Sequence, residues 1–371
     1  MKKSASIFGF FAILGSVVLD IWYGAWRLYV HFGGAPLWLY RIGMILAVIY
    51  VFSMFKIVFI FQNKFVTTIG IIAGYLAVFV PFLTFSLGLV HIAMLAIDVS
   101  LILSGLFAVA IAFALTLVGV VLGNMIFVRK TEIKIPKLEH QVTIMQISDA
   151  HIGVLYGEKH LSKIVKKTNL HNPDIVVVTG DLTETKAALK QKMLRPLSGL
   201  NAVAYFVEGN HDTYTGLDGV LDEIRKQNVR VLHNEMVKTH GIQLVGLDYL
   251  KADEGTYDMH AVENRSTVKS VLSKMKIDPA LPAVVAIHNA TGVEYAEAAG
   301  VDLMISGHTH RGQVFPFTLL TKMAYHYNGG LYDTGKTKIF VSGGAGGVVC
   351  RMRLGSVNEI NLLKLVPENV E

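Results

Sequence analysis

Two patterns of apolar residues divide the chain near residue 128. Before that point the hydrophobic runs are too long for strands and nearly free of charge: residues 7–23, 37–61, and then 65–128 with Asp98 as the one formal charge. A helix of about 20 apolar residues crosses a hydrocarbon core, so this stretch predicts four membrane helices, the last two joined near residues 91–100. Beyond it the apolar runs shorten to those of buried strands, each closed by Gly or a polar residue. They cover residues 142–147, 174–179, 202–207, 242–245 and 283–287. Residues 157–171, 186–197, 217–227 and 261–275 read as helices, and 313–317, 338–342 and 359–365 as further strands. An α/β front followed by β returns predicts two mixed sheets sandwiched between helices. The division is a transmembrane helical region at 1–128, a short Lys-rich linker with Pro136 at 129–141, and an α/β domain at 142–371.

Composition sharpens this division. The chain is 52% apolar with a mean hydropathy of +0.48, too apolar for one ordinary soluble domain. Residues 1–128 hold only six of the 34 Lys and Arg and two of the 28 Asp and Glu, so four of the six net positive charges belong to the membrane region. The pI of about 9.1 therefore reflects membrane topology, and no nucleic-acid partner is expected. With four spans, Lys2, Lys3, Lys64, Arg129 and Lys130 share one face, and the loop at Asp98 lacks Lys and Arg. The positive-inside rule then places the domain at 142–371 in the cytoplasm. Arg27 and Arg41 run against it, and a fifth helix would reverse it. Cys350, being alone, forms no internal disulfide.

The chemistry lies in five clusters: Asp149-Ala-His151, Gly180-Asp181, Gly209-Asn210-His211-Asp212, His288, and Gly307-His308-Thr309-His310. Each follows a predicted strand, at the sheet edge where α/β proteins gather ligands. The set is three Asp, one Asn and five His without a thiolate. Such donors suit divalent Mn, Fe or Zn and argue against a structural zinc or iron–sulfur centre. A pair of such ions held by two carboxylates stays positive even with a bridging hydroxide, which makes a phosphoryl group its natural guest.

In their order and spelling the clusters resemble the DxH, GD, GNH(D/E), H and GHxH blocks of the calcineurin-like metallophosphoesterases, over about residues 142–365. The resemblance implies that Asp149, His151 and His310 hold one divalent ion, that Asn210, His288 and His308 hold a second, and that Asp181 bridges the two, with Mn favoured. It implies that His211 faces the substrate as the acid, with Asp212 orienting it. GHTHRGQ is similar to the GHTHGGQ of a membrane-attached bacterial branch that includes lipid-precursor pyrophosphatases. In this chain Arg311 replaces a Gly and could bind a substrate phosphate or point outward. Residues 341–360, with Arg353-Leu-Gly-Ser356, extend the likeness. Cys350 stands where Pro is expected, and Ala290 follows His288-Asn289 without the expected Pro. Tyr325-His326-Tyr327 lies on a loop that could cover the site or be ordinary surface.

These readings predict a multi-pass, membrane-anchored dimetal phosphoester hydrolase acting on a lipid-linked or small phosphorylated substrate. The competing class is a sensor or transporter accessory domain that binds a phosphoryl ligand without turnover. The oligomeric state is left open.

Overall fold

The computed structural model describes residues 18–46, 49, 64–190, 192–258 and 266–368. Most of the first expected span and the second half of the next lie outside these residues. A π-helical turn at Asp20–Gly24 runs into helix α1 (Ala25–Phe32), and α2 covers Leu37–Leu46. Helices α3 (Lys64–Met94) and α4 (Leu101–Asn124) follow, with Asp98 in the turn between them, as the charge pattern predicts. Both are long and apolar enough to cross a membrane, yet only 33% and 22% of their apolar windows is buried. Phe107, Phe113, Leu117 and Val121 face outward. Helices that expose such side chains along their length are suited to lipid, and the chain is membrane-associated.

The domain that follows has two six-stranded sheets. The first runs β1 (Phe127–Ile135), β12 (Glu359–Pro367), β2 (Val142–Ile147), β3 (Ile175–Thr179), β4 (Val203–Val207), β5 (Val229–Val231). The second runs β10 (Gly330–Asp333), β11 (Lys338–Val341), β9 (Leu303–Ser306), β8 (Ala283–Ala286), β7 (Ile242–Gly246), β6 (Glu235–Thr239). Strands β2 to β5 and β7, β8, β9 and β11 are parallel to their neighbours in those series, while β12 against β2, β6 and β10 pair antiparallel. Alternation along each strand sorts the apolar side chains. Ile144, Ile175, Val177 and Val207 meet Leu244, Val284, Leu303 and Phe340 between the sheets. Val176 and Val178 point the other way, onto Leu161 and Ile164 of α5 (Glu158–Asn169). On the far side Val245, Val285 and Met304 pack on Val268 and Leu272 of α8 (Val268–Leu272) and Val293 and Ala296 of α9 (Val293–Ala298). Two mixed sheets between helices is the predicted fold.

Several elements differ from expectation, each for a local reason. The expected linker is largely β1, an edge strand paired in parallel with β12, with Ile133 and Ile135 in the core between the sheets. Its charged residues suit an edge and conceal the strand in the sequence. Residues 313–317 are not a strand: left-handed Arg311, Gly312 and Gln313 break the extended run, and α10 (Phe317–Ala324) follows. The helix expected at 186–197 is reduced to α6 (Ala187–Lys190) and a 3-10 turn at Arg195–Gly199. Helix α7 (Asn210–Arg225) begins seven residues before the expected 217 and bends at Gly216, where φ is +112°. Within 261–275, α8 is the helical part among the described residues.

The membrane helices are built into the domain. The carbonyl of Gly119 accepts from Arg353 N (2.9 Å), and that of Gly123 from Asn358 Nδ2 (2.7 Å) and Tyr156 Oη (3.2 Å). Glycine is needed at Gly123 because a Cβ there would meet the backbone of Arg351 and Met352. A Gly123→Leu substitution is expected to cost about 1 to 3 kcal/mol by overpacking, seen as a lower Tm of the detergent-solubilised chain; an unchanged Tm would contradict this packing. His160 on α5 donates from Nε2 to the carbonyl of Ala345 (2.8 Å), and burial lowers its pKa from 6.5 to about 4. The unfolded chain takes up that proton near pH 6.5 and the folded chain only near 4, so this contribution to stability is lost as pH falls between the two. In a Tm-against-pH series His160→Gln should decline less steeply over that window than the unsubstituted chain, and equal slopes would show that His160 is not responsible.

Candidate metal centre

All five clusters sit on loops at the carboxyl ends of β2, β3, β4, β8 and β9. The loops turn sharply: Asp149, His151, Asp181, His308 and His310 all adopt positive φ, between 47° and 74°. Left-handed non-glycine residues cost on the order of 1 to 3 kcal/mol each and persist where surrounding contacts over-determine them. Gly209 and Gly307 allow the loops to close on one another. A Cβ on Gly307 would strike Ser148 and Asp149, and one on Gly209 would strike Asp181.

The loops bring together Asp149, His151 and His310 as one group and Asp181, His288 and His308 as another. Asp181 faces both. Its Oδ2 lies 3.1 Å from His288 Nε2 and 3.8 Å from His151 Nε2, while Oδ1 accepts from the backbone N of His211 at 2.8 Å. Hydrogen bonds orient the other donors. His288 Nδ1 donates to the carbonyl of Thr179 (2.8 Å) and His151 Nδ1 to Glu184 Oε2 (2.5 Å), which leaves each Nε2 for the centre. Asp149 accepts from Ser148 Oγ (2.5 Å) and from the backbone N of His308 (3.1 Å). Asn210, at the start of α7, is buried, and its Oδ1 has no hydrogen-bond partner among the described residues.

The field at this point favours positive charge. Burial would lower the pKa of His288, but the Asp181 and Asp149 carboxylates outweigh it and raise it to about 10. Burial likewise opposes protonation of His211, yet Glu184 Oε2, 2.8 Å from its Nδ1, and the charge of Asp181 bring it to about 9. Burial raises the carboxyl of Asp149, whereas at Asp181 the same burial is overcome by His288, and its pKa falls well below the ordinary carboxylate range. A buried set of carboxylates, imidazole nitrogens and one orphaned amide oxygen has the donors and charge for one or two divalent cations.

Two expected roles meet different geometry. The carboxylate at His211 is Glu184, whose Oε2 lies 2.8 Å from His211 Nδ1. Asp212 instead accepts from Gly209 N (3.0 Å), Thr183 N (2.8 Å) and Thr183 Oγ1 (2.9 Å), so it clamps the loop ends together. Arg311, expected near a substrate phosphate or pointing outward, has Nη2 3.4 Å from Glu359 Oε1. The same Glu359 is held by Arg129 at 3.3 Å. Sequence reading missed Glu184, three residues after Asp181, and, although it noted Arg353 within the Arg353-Leu-Gly-Ser356 segment, gave that residue no role at the site. Arg353 is fully buried, donates from Nη1 to the carbonyl of His310 (2.8 Å), and places Nη2 3.2 Å from His310 Nδ1. It also missed Tyr249, whose ring lies 6.1 Å from that of His308, while Tyr325, on the loop considered as a cover for the site, has its ring 6.0 Å from the same imidazole. A further group, Glu208, His233 and Asp248, lies at the end of β7, where no metal ligand was expected; Asp248 there is bonded to His233 (2.7 Å) and Asn234 (2.6 Å).

Residues 142–312 match the family model of the calcineurin-like phosphoesterases. An uncharacterized metallophosphoesterase of Helicobacter pylori is 32% identical over 247 residues, covering 65% of this chain and 64% of its own. One from Campylobacter jejuni is 33% identical over 245 residues, 64% of this chain and 63% of its own. A transmembrane protein with metallophosphoesterase domain from Danio rerio is 29% identical over 245 residues, 62% and 55%. The match thus spans less than two thirds of each relative. Residues 142–312 are similar to the calcineurin-like phosphoesterases, and apolar helices precede them. Because a vertebrate protein shares the likeness, it is not specific to the bacterial branch expected from the sequence.

Glu184→Gln weakens the carboxylate that holds both His151 and His211, and is expected to lower Mn²⁺ affinity about 10- to 100-fold without unfolding the chain. Titration calorimetry measures this, and unchanged affinity would show that Glu184 does not orient His151.

Proposed function

We propose that the domain is a dimetal-dependent phosphoester hydrolase, of the phosphodiesterase or pyrophosphatase type, acting at a membrane. The observation that carries this reading is Asp181, whose Oδ2 faces imidazoles of both groups. In this reading Asp149, His151 and His310 hold one divalent ion, Asn210, His288 and His308 a second, and Asp181 both, with Mn favoured over Fe or Zn. Such an ion pair, when bound, lowers the pKa of a coordinated water and draws phosphoryl oxygens towards it. The residues of the chain do the rest. Asp149 and Asp181 are fixed by backbone and hydroxyl donors, so little reorganisation accompanies substrate entry. His211 is held through Nδ1 by Glu184, which leaves Nε2 to protonate the departing oxygen. Asp212 keeps the Gly209 and Thr183 loops in register so that His211 and Asp181 stay adjacent.

The chain is proposed to be multi-pass, with the domain on the cytoplasmic face, because Lys64, Arg129 and Lys130 lie on its side of the spans. The anchor favours a substrate that is itself held at the bilayer, a lipid-linked phosphoester over a freely diffusing one.

With Mn²⁺ the purified full chain is expected to hydrolyse bis(p-nitrophenyl) phosphate, and Asp181→Asn to abolish turnover. Wild-type rates in that variant would sink the assignment. His211→Ala is expected to lower kcat about 10²- to 10⁴-fold with metal content unchanged, as read by elemental analysis; loss of metal would make His211 a ligand instead of the acid.

A further inference from the structure

Contact between the membrane helices and the domain reaches far along their length. On α4 it begins at Gly123 and extends to Ala112, which packs with Val314, Cys350 and Met352. On α3 it runs from Gly74, against Val349, to Phe85, whose ring meets that of Phe315 edge-on at 5.3 Å. If the bilayer ended where the domain begins, only Leu101 to Ile111 of α4 would remain to cross it. That is about 16 Å of helix at 1.5 Å per residue, against a hydrocarbon core of about 30 Å. The same reckoning leaves α3 about 14 Å, from Ser86 to Met94. Alongside the domain the outer face of α4 stays apolar, with Phe113, Leu117, Val118 and Val121 exposed. The hydrocarbon layer therefore extends past the contact, and the loops that touch the middle of the helices lie within it.

Helix α10, which follows Phe315 directly, has the polarity such a position requires. Its polar side chains turn inward: Thr321 lies against Gly312 and receives Asn328 Nδ2 at 3.4 Å, and Thr318 sits on Gly355. Two of its large apolar side chains turn outward, while Phe317 and Leu320 are half-buried. Leu319 and Met323, one turn apart, are 53% and 64% exposed. A helix with hydroxyls inward and Leu and Met outward is inverted for water and correct for lipid, and the long stem of exposed Lys322 can carry its ammonium to the headgroups. At the end of α10, Tyr325 places its ring against His308 of the metal centre.

We propose that α10, with Phe315, is an in-plane helix immersed in the acyl layer of the bilayer that α3 and α4 cross, and that it delivers acyl-chain-bearing phosphoesters to the rim of the metal centre. The delivery half rests on the hydrolase reading above; the immersion half stands without it.

The test uses the full chain with Cys350→Ala, reconstituted in phosphatidylcholine–phosphatidylglycerol vesicles and labelled with the fluorophore NBD at Met323→Cys. Leu117→Cys on α4 is the lipid reference, and Leu170→Cys, 79% exposed after α5, the aqueous one. Label at position 323 is expected to be quenched by acyl-chain doxyl lipids like that at 117 and shielded from iodide; quenching like that at 170 would overturn immersion. In a second arm, Leu319→Glu with Met323→Glu is expected to lower kcat/KM about tenfold or more on a nitrophenyl phosphatidyl diester in vesicles. Turnover of soluble bis(p-nitrophenyl) phosphate stays as it was. Equal losses on both substrates, or none on either, would overturn delivery. If the unsubstituted chain hydrolyses neither substrate, the hydrolase reading and delivery both fail, and the quenching result alone decides immersion.

Discussion

Concentrated buried negative charge is the constraint on which this molecule turns. Asp149, Asp181 and Asp212 are all within 2% of complete burial, at loop ends that close on one another. An uncompensated buried carboxylate costs several kcal/mol or more, so every neighbouring feature works to compensate. Backbone donors from His211 and His308 hold Asp181 and Asp149. Gly209 and Thr183 hold Asp212, and His288 is drawn strongly towards its protonated form by the field that remains. The same field gives the cleft the capacity for a divalent cation, and the proposed phosphoryl chemistry follows from that capacity. Fold, charge and proposed chemistry are consequences of one burial.

The centre is also tied mechanically to the membrane region. Arg353 N bonds the carbonyl of Gly119 within α4, and the Arg353 guanidinium bonds the carbonyl of His310, a proposed ligand. One residue therefore spans the distance between an apolar helix and the metal centre, and its burial is balanced by Asn358 (2.8 Å), Ser356 (3.0 Å) and Gly346 (2.5 Å). Anchor and site share a single packed unit, which fits a reaction carried out on something that stays in the bilayer.

The metal-ligand candidates were readable because divalent-ion chemistry demands Asp, Asn and His at strand ends, and a strand ending in Gly announces its own position. The parts that were not readable had no pattern of their own. Glu184 is a lone acid in a loop. Asp212 stands beside His211 in sequence, but the start of α7 turns its carboxylate to the loop amides. Strand β1 carries Arg129, Lys130, Glu132 and Lys134, an edge strand's charges, and so read as a linker. Helix α10 was hidden by its reversed polarity, since a sequence reader expects threonines outside and leucine within. Arg353 was noted only within the Arg353-Leu-Gly-Ser356 likeness, and nothing in that segment says that its guanidinium reaches His310.

The account's central claim is that residues from five loops form two adjoining cation sites that share Asp181. Anomalous diffraction at the manganese edge from Mn-loaded crystals of the full chain tests this most directly. The account predicts two peaks, one among Asp149, His151 and His310, the other among Asn210, His288 and His308, with the Asp181 carboxylate against both. A single peak, or peaks only at Glu208, His233 and Asp248, would contradict it.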